Sequence, residues 1–344
     1  MKKTLLAFFA VAALVSCTKD NVLENNNEAI GFSKTFIENS VKSVNDPSFT
    51  DAKLFSDFAV YGFVEGAVLF NGTKVSQNIT NNDLEKSTWD YNGTQYWIAG
   101  AKYDFAAVAP LTNGNWEVDA ANTNKDKTTI NFTNDGTKDL LHAKTATIVG
   151  KVSSNELVSF TFNHILSKVK FSFENAYNAS NATIKVKEVK INNAYKTATV
   201  VLNDQTAWSG HNDASLVLDF GMATDDEATD AKENVEVAYA FVKVYESQNE
   251  HFLIPGAVPT QTVDSEVKKG YKVTFTVELL VNGTSVKTYN HTAYADFTPV
   301  AGNSYDIKTV INAENIDPEH AQEPIEFTVN KLPGWGTTNN VEAK

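Results

Sequence analysis

The chain lacks arginine entirely and has a single cysteine among its 344 residues. All 29 basic residues are therefore lysines, and they face 42 acidic residues, which gives a formal net charge of −13. A chain of this charge repels phosphate backbones and anionic lipid surfaces, so nucleic acid is not expected as a partner. One cysteine cannot form an internal disulfide, so we expect the fold to be stabilised by burial of apolar side chains.

The motifs of common enzyme classes are also missing. The sequence contains no P-loop, no dinucleotide-binding fingerprint and no Gly-x-Ser-x-Gly nucleophile elbow. The acidic stretch from Thr224 to Glu233 does not match the ligand spacing of a calcium loop. The histidines are scattered without the spacing of a zinc site; they are His142, His164, His211, His251, His291 and His320. We therefore predict a protein that is not an enzyme, with no cofactor and no metal.

The N-terminus is the most informative segment that is present. Two lysines precede an apolar run from Thr4 to Val15, which has the length of a signal-peptide core and is too short to span a bilayer. The run ends in a small residue followed by Cys17, as at the cleavage site of a bacterial lipoprotein. We predict that residues 1–16 are a lipoprotein signal peptide and that a diacylated and N-acylated (palmitate-type) Cys17 anchors the protein. The alternative is a secreted protein with a chance cysteine there.

Short alternating runs dominate the rest of the chain. Residues 17–28 are polar and asparagine-rich, which is typical of a flexible tether. Beyond them, apolar and polar residues alternate, most clearly from Tyr271 to Leu279, which predicts strands with one buried face. Asn-Gly pairs such as Asn71-Gly72 and Asn282-Gly283 predict tight hairpin turns. Since no long segment carries a helical stripe, we predict an all-β fold of antiparallel β-sandwiches.

The length of the chain predicts two domains. More than 300 residues remain after the signal peptide, which is too many for one typical domain. One predicted strand ends near Phe162 and another begins at Ser167. We therefore place an N-terminal sandwich at residues 29–162 and a C-terminal sandwich at residues 163–344.

Tryptophans are the candidate binding residues for carbohydrate, because an exposed aromatic ring beside polar groups can hold a sugar. The five are Trp89, Trp97, Trp116, Trp208 and Trp335. Packing in the core is the alternative for each of them. For Trp97, which lies between Tyr96 and Ile98 on a predicted strand, we predict the core.

The order of several short segments resembles the fimbrillin-like lipoproteins of Bacteroidota. In the first half these segments are Phe58-Ala59-Val60-Tyr61-Gly62-Phe63, Leu69-Phe70-Asn71-Gly72, Trp89-Asp90-Tyr91, Tyr96-Trp97, Tyr103-Asp104-Phe105-Ala106-Ala107-Val108-Ala109-Pro110 and Asp139-Leu140-Leu141. In the second half they are His164-Ile165-Leu166-Ser167-Lys168-Val169-Lys170-Phe171, Gly302-Asn303-Ser304-Tyr305, Ile325-Glu326-Phe327-Thr328-Val329 and Gly334-Trp335. Cys17-Thr18-Lys19-Asp20 also resembles the signal that sends lipoproteins of this phylum to the outer face of the outer membrane.

The resemblance implies two transthyretin-like β-sandwich domains in tandem. It also implies a surface-exposed, lipid-anchored fimbrial (pilus) subunit or adhesin, with a host protein or glycan as a possible receptor. In such fimbriae a protease removes the first strand of each subunit, and a strand from a neighbouring subunit fills the vacated groove. Other fimbrial subunits are therefore the implied partners, with the outer membrane contacted through the lipid on Cys17.

The missing arginine is a departure from this family. Its best-known maturation uses an Arg-specific protease, whereas the loop after the predicted first strand (Ala29 to Phe36) offers Lys42 and Lys53. We predict cleavage at Lys42 by a protease of different specificity, or an uncut subunit that serves as an anchor. The segment from Ile325 to Lys344 is the expected donor strand.

Two other functions stay open at this point. One is a surface glycan-binding lipoprotein for polysaccharide capture, which exposed coplanar aromatic rings would favour. The other is a surface glycosidase, which two carboxylates about 5–10 Å apart in a cleft would favour. A first strand that pairs along a domain edge and can be removed would favour the fimbrial role.

Overall fold

The computed structural model describes residues 28–33, 36–37, 57–80, 83–111, 115–119, 128–150, 157–177, 182–224 and 243–332. Within these ranges the regular secondary structure consists entirely of β-strands, which confirms the predicted all-β fold. The strands are β1 Phe36–Ile37, β2 Asp57–Val64, β3 Ala67–Thr80, β4 Asp83–Tyr91, β5 Lys102–Ala109, β6 Trp116–Val118, β7 Thr129–Thr133, β8 Leu141–Lys144, β9 Ile148–Val149, β10 Thr161–His164, β11 Ser167–Asn175, β12 Ala182–Ala194, β13 Thr197–Val201, β14 Asp204–Asn212, β15 Leu216–Thr224, β16 Lys243–Ser247, β17 His251–Leu253, β18 Thr260–Val263, β19 Glu266–Lys269, β20 Tyr271–Val281, β21 Thr284–Ala295, β22 Ser304–Ile311 and β23 Thr328–Leu332.

The first sheet, called the N-terminal sheet below, has the strand order β1-β10-β8-β5-β2-β3-β4, with β9 beside β5. Its pairs are antiparallel except for β1 and β10, which run parallel. The sheet curls around an aromatic core: Phe58 on β2 lies 5.3 Å from Trp89 on β4 and 5.7 Å from Phe162 on β10, measured between ring centroids. Strands from both ends of the order therefore meet across one interior.

A second, four-stranded sheet has the order β14-β13-β7-β6 and is called the bridging sheet. Its Phe132 and Trp208 pack with Tyr61 and Val108 of the N-terminal sheet in a separate core. Strands β6 and β7 precede residue 162, whereas β13 and β14 follow it. The bridging sheet thus combines strands from both halves of the chain, and a domain division after Phe162 stays a prediction.

The third sheet, the C-terminal sheet, has the order β21-β20-β12-β15-β16-β11-β22-β23, with β17 beside β11. Phe173 on β11 and Phe275 on β20 are 5.1 Å apart between ring centroids, although their strands are far apart in this order. Phe171 on β11 similarly lies 4.7 Å from Phe220 on β15. The sheet therefore folds over itself and encloses a core between its two layers. Strands β18 and β19 form a separate hairpin.

Hydrogen bonds connect the bridging sheet and the residues after it to later segments, and two of the three bonds below join residues on either side of residue 162. The Trp208 indole N–H donates to the carbonyl oxygen of Ile165 (3.0 Å). The Asn134 side-chain amide donates to the carbonyl oxygen of Phe252 (2.9 Å), and the Phe252 N–H donates to the carbonyl oxygen of Gly136 (2.9 Å). Such bonds hold the bridging sheet against Ile165, just before β11, and against β17 of the C-terminal sheet.

The Asn-Gly pairs at Asn71-Gly72 and Asn282-Gly283 adopt different structures. Asn282-Gly283 forms the predicted hairpin turn between β20 and β21, with φ angles of 51° and 78°. The turn predicted at Asn71-Gly72 is wrong, because both residues lie inside β3. The register shifts there between Val60 and Tyr61 of β2, so Gly72, at φ 69°, is the extra residue of a β-bulge.

Candidate functional site: the first segment and its groove

The candidate site is a groove filled by the first described residues of the chain. Glu28 to Ser33, called the first segment below, alternates so that Ile30 and Phe32 point inward with exposed fractions of only 1% and 3%. Ala29, between Glu28 and Ile30, is exposed. This alternation is that of a strand with one buried face.

The first wall of the groove is residues 89–97, which run antiparallel to the first segment. The Ile30 N–H donates to the carbonyl oxygen of Gln95 (2.8 Å), and the Trp97 N–H donates to the carbonyl oxygen of Glu28 (3.0 Å). The Tyr91 hydroxyl donates to the carbonyl oxygen of Ile30 (2.6 Å) and accepts from the Gln95 N–H (3.1 Å). Burial raises the pKa of Tyr91, so its hydroxyl keeps the proton that it donates.

The second wall is residues 157–162, which run parallel to the first segment. The Ser33 N–H donates to the carbonyl oxygen of Val158 (2.9 Å), and the Val158 N–H donates to the carbonyl oxygen of Gly31 (2.8 Å). The pairing continues in β1, where Phe36 lies opposite Thr161. The first segment thus bonds to β4 and its continuation on one side and to the approach to β10 on the other, and it joins the two ends of the N-terminal sheet.

The floor of the groove is a pocket of aromatic rings around Phe32. Among the described residues, five ring centroids lie within 6.4 Å of its own: Phe58 at 6.2 Å, Phe70 at 5.8 Å, Tyr91 at 5.5 Å, Phe105 at 6.4 Å and Phe160 at 6.0 Å. Four of these rings meet Phe32 at steep angles and Phe160 stacks on it at 16°, both of which are favourable aromatic geometries. Phe32 is therefore the main side chain that holds the first segment in place.

The structure places the other sequence-predicted site residues as follows. Cys17 and Lys42 lie outside the described residues, as do Lys53 and most of the acidic loop from Thr224 to Glu233. The predicted first strand, Ala29 to Phe36, is described as bridges at Ala29 and Phe32 followed by β1.

The described part of the expected donor segment, residues 325–332, packs within its own sheet, whereas residues 333–344 lie outside the described residues. Ile325, Phe327 and Val329 pack against the core of the C-terminal sheet, and residues 328–332 form β23 on β22. Donation of these side chains to a neighbour would require their removal from that core.

The sequence of the chain matches the profile of one protein family along most of its length. The matching family is described as fimbrillin-like, and the match covers residues 45–331. The chain belongs to the fimbrillin-like family. This confirms the family predicted from the sequence, which is a family of fimbrial structural proteins and not of enzymes. No curated protein sequence matches the chain.

Several solved structures resemble this fimbrillin-like protein. A candidate cell adhesion protein from Bacteroides uniformis ATCC 8492 is 15% identical with a TM-score of 0.44, and one from Bacteroides ovatus ATCC 8483 is 16% identical with a TM-score of 0.43. The fimbrial anchor protein Mfa2 from Porphyromonas gingivalis is 12% identical with a TM-score of 0.36. Each match covers 90% of this chain and 98% of the other.

The tryptophans of this fimbrillin-like protein do not form a sugar platform in the part that the structure describes. Trp89, Trp97 and Trp208 are at most 8% exposed, which confirms the core position predicted for Trp97. Trp116 is half-buried and its indole N–H donates to the carbonyl oxygen of Pro110 (2.9 Å). Trp335 lies outside the described residues. The glycan-binding alternative thus gains no support from these rings.

The histidines are mostly structural. His142, His164, His251 and His291 are buried, and His164 bonds to the Asp139 carboxylate. Among the described residues, one group of possible metal ligands lies within 4.8 Å: Asp317, Glu319 and His320. The ammonium of Lys287 already contacts Asp317 at 2.9 Å, so this exposed group is explained as an ion-pair cluster. No helix in the described ranges has the length and apolar character needed to span a membrane.

Sequence reasoning missed the contacts that build the groove. No pattern in the sequence pointed to the groups that form the groove, which are the Tyr91 hydroxyl, the backbone of Gln95 and Val158, and the rings around Phe32. Tyr91 and Phe105 stood within the segments that resemble the family, but the resemblance did not indicate that they meet. Residues 58–105 and 157–162 are distant in sequence, so only the fold brings them together.

Proposed function

We propose that this protein is a surface-exposed lipoprotein of the outer membrane that serves as a fimbrial subunit and accepts a strand from a neighbouring subunit. The observation that supports the proposal is the two-sided pairing of the first segment. Loss of this segment would open both ends of the N-terminal sheet at once and leave an apolar slot where Ile30 and Phe32 lay. A donated strand would restore both the hydrogen bonds and the burial.

The intact chain would not assemble by this route. Its own first segment competes with any incoming strand at the high effective concentration of an intramolecular partner. We propose that cleavage near Lys42, between β1 and β2, releases the segment. A subunit that is never cut would keep the groove closed and would serve as an anchor.

The test compares the chain beginning at Thr18 with the chain beginning at Ser43. We expect the shorter chain to melt at a lower temperature than the longer one, measured by calorimetry. Addition of a synthetic peptide of residues 28–37 should raise the melting temperature of the shorter chain and leave that of the longer chain unchanged. A shorter chain that has an unchanged melting temperature and does not respond to the peptide would contradict strand exchange.

The anchor is tested at Cys17. We expect Cys17→Ala to abolish labelling with radioactive palmitate and to move the protein from the membrane fraction to the soluble fraction. Ser16→Ala is the matched control, because it keeps a small residue before the cysteine and should leave labelling intact. Membrane association of the Cys17→Ala protein equal to that of the wild type would show that the lipid on this residue is not the anchor.

A further inference from the structure

The groove imposes different requirements at three successive positions of the strand that occupies it. At position 32 the five surrounding rings leave a fully buried site that an aromatic side chain fills. A smaller side chain would leave a cavity among these rings, because four of the five are fixed on neighbouring strands of the N-terminal sheet, β2 to β5. This position demands a ring.

Position 30 requires a backbone N–H as well as a large apolar side chain. The Ile30 N–H donates to the carbonyl oxygen of Gln95 at 2.8 Å, while its carbonyl accepts from the Tyr91 hydroxyl at 2.6 Å. Proline at this position would leave the Gln95 carbonyl without that donor and would forfeit the bond.

Position 31 favours glycine. A Cβ added at Gly31 would lie 2.6 Å from Cδ2 of Leu157, closer than van der Waals contact allows. Leu157 is 54% exposed and can turn aside for a methyl group, so alanine is tolerated better than a larger side chain. Leu157 thus favours small residues at position 31, and this preference is weaker than the requirements for a ring at position 32 and an N–H at position 30.

The chain itself offers few segments of this pattern. Apart from Ile30-Gly31-Phe32, a large apolar residue, glycine and an aromatic residue are consecutive only at Tyr61-Gly62-Phe63, which is built into β2. Pro333-Gly334-Trp335 has the glycine and the ring, but a proline stands where the N–H is needed. The neighbouring Phe327 and Val329 pack in the C-terminal core.

We propose that the groove selects a strand from another kind of subunit. That strand has three consecutive residues: a large aliphatic residue, which has a backbone N–H because it is not proline, then a glycine, then an aromatic residue. This inference rests on the proposed function, since it names the partner of the same groove. Such selectivity would set the order in which different subunits follow one another in a fimbria, because the groove excludes strands that lack the aromatic residue or have proline at the first position.

The experiment uses the whole chain from Thr18 with a specific protease site inserted between Lys42 and Ser43. Cleavage leaves every residue present but makes the first segment a separate peptide that can exchange. Fluorescent peptides of residues 28–37 are then added, and binding is followed by fluorescence anisotropy. The peptides are the wild-type sequence, its Phe32→Ala, Ile30→Pro and Ile30→Val variants, and the chain's own residues 329–338.

We expect the Phe32→Ala peptide to bind at least about 100-fold more weakly than the wild-type peptide. Ile30→Pro should weaken binding by about 10-fold or more, and Ile30→Val, which keeps the N–H, by less than about 5-fold. The peptide of residues 329–338 should bind no better than the Phe32→Ala peptide. Equal binding of all peptides, or wild-type affinity for residues 329–338, would overturn the selectivity and leave strand exchange standing. If none of the peptides binds, the wild-type peptide included, the proposed function itself is overturned.

Discussion

Phe275→Asp is expected to lower the free energy of unfolding by roughly 4 kcal/mol, because it places an unpaired carboxylate in the core of the C-terminal sheet. Phe275 is 2% exposed, lies 5.1 Å from Phe173 across the core and stacks on His291 at 5.0 Å. Its strand, β20, is paired on both sides, with β12 and β21, so it cannot move outward to hydrate the new charge.

Among the rings that contact Phe275, only that of His291 can become positively charged and pair with the new carboxylate. Burial lowers the pKa of His291, so its imidazole is neutral in mildly alkaline solution and offers no counter-charge. Urea unfolding at pH 8 therefore measures the full cost. Below the depressed pKa of His291 the imidazole becomes charged, and part of the loss should be recovered by pairing with the aspartate.

Thr276→Asp is the matched control for this prediction. It introduces the same side chain one residue further along β20, on the half-exposed face opposite Lys187 of β12. We expect a loss of at most about 1.5 kcal/mol for this variant, because it also removes the hydrogen bond from the Thr276 hydroxyl to the Asn290 side-chain oxygen. If the Phe275→Asp and Thr276→Asp proteins unfold at the same urea concentration, the assignment of the buried face of β20 is contradicted.

Local patterns in the sequence predicted the elements of the C-terminal sheet well. The alternation from Tyr271 to Leu279 corresponds to β20, and the Asn282-Gly283 turn leads into β21 at Thr284. The start of β11 at Ser167 also agrees with the prediction. These features depend on which side chains face the core and on backbone angles at the turn, and both are encoded within a few neighbouring residues.

The same local signal failed at Asn71-Gly72 for a physical reason. A glycine with positive φ serves a β-bulge as well as a hairpin turn, and the choice depends on whether the chain continues along its partner strand. The partner here is β2, and it continues past Gly72. Sequence near the glycine cannot reveal that continuation.

Local patterns in the sequence could not predict the strand pairings that define the candidate site and the bridging sheet. The bridging sheet joins Ile130 of β7 to Val200 of β13, and the first segment joins Val158 to the wall at Gln95. Each of these contacts closes a loop of more than 60 residues, so no short window of sequence contains both partners. The resemblance to fimbrillin-like proteins supplied the idea of a removable first strand, whereas the structure supplies its two walls.

Phe32→Ala is the second large effect that we expect, with a loss of about 3–5 kcal/mol in the free energy of unfolding. The truncated side chain leaves a space among five rings, and the first segment has only Ile30 as a second fully buried anchor. Tyr96→Ala is the matched control, since Tyr96 pairs with Ala29 on the first wall but the residue is 52% exposed. Its truncation should cost less than about 1 kcal/mol.

Hydrogen exchange separates release of the first segment from general unfolding in the Phe32→Ala protein. The amides of Ile30 and Ser33 donate from the segment, and those of Trp97 and Val158 donate to it. If the segment leaves as a unit, these four amides should lose protection together, while amides in the middle of β20 keep theirs. Unchanged protection of Trp97 and Val158 in the Phe32→Ala protein would show that the walls do not depend on the segment. A groove of that kind would gain little from a donated strand, because strand exchange requires edges that are unstable when left open.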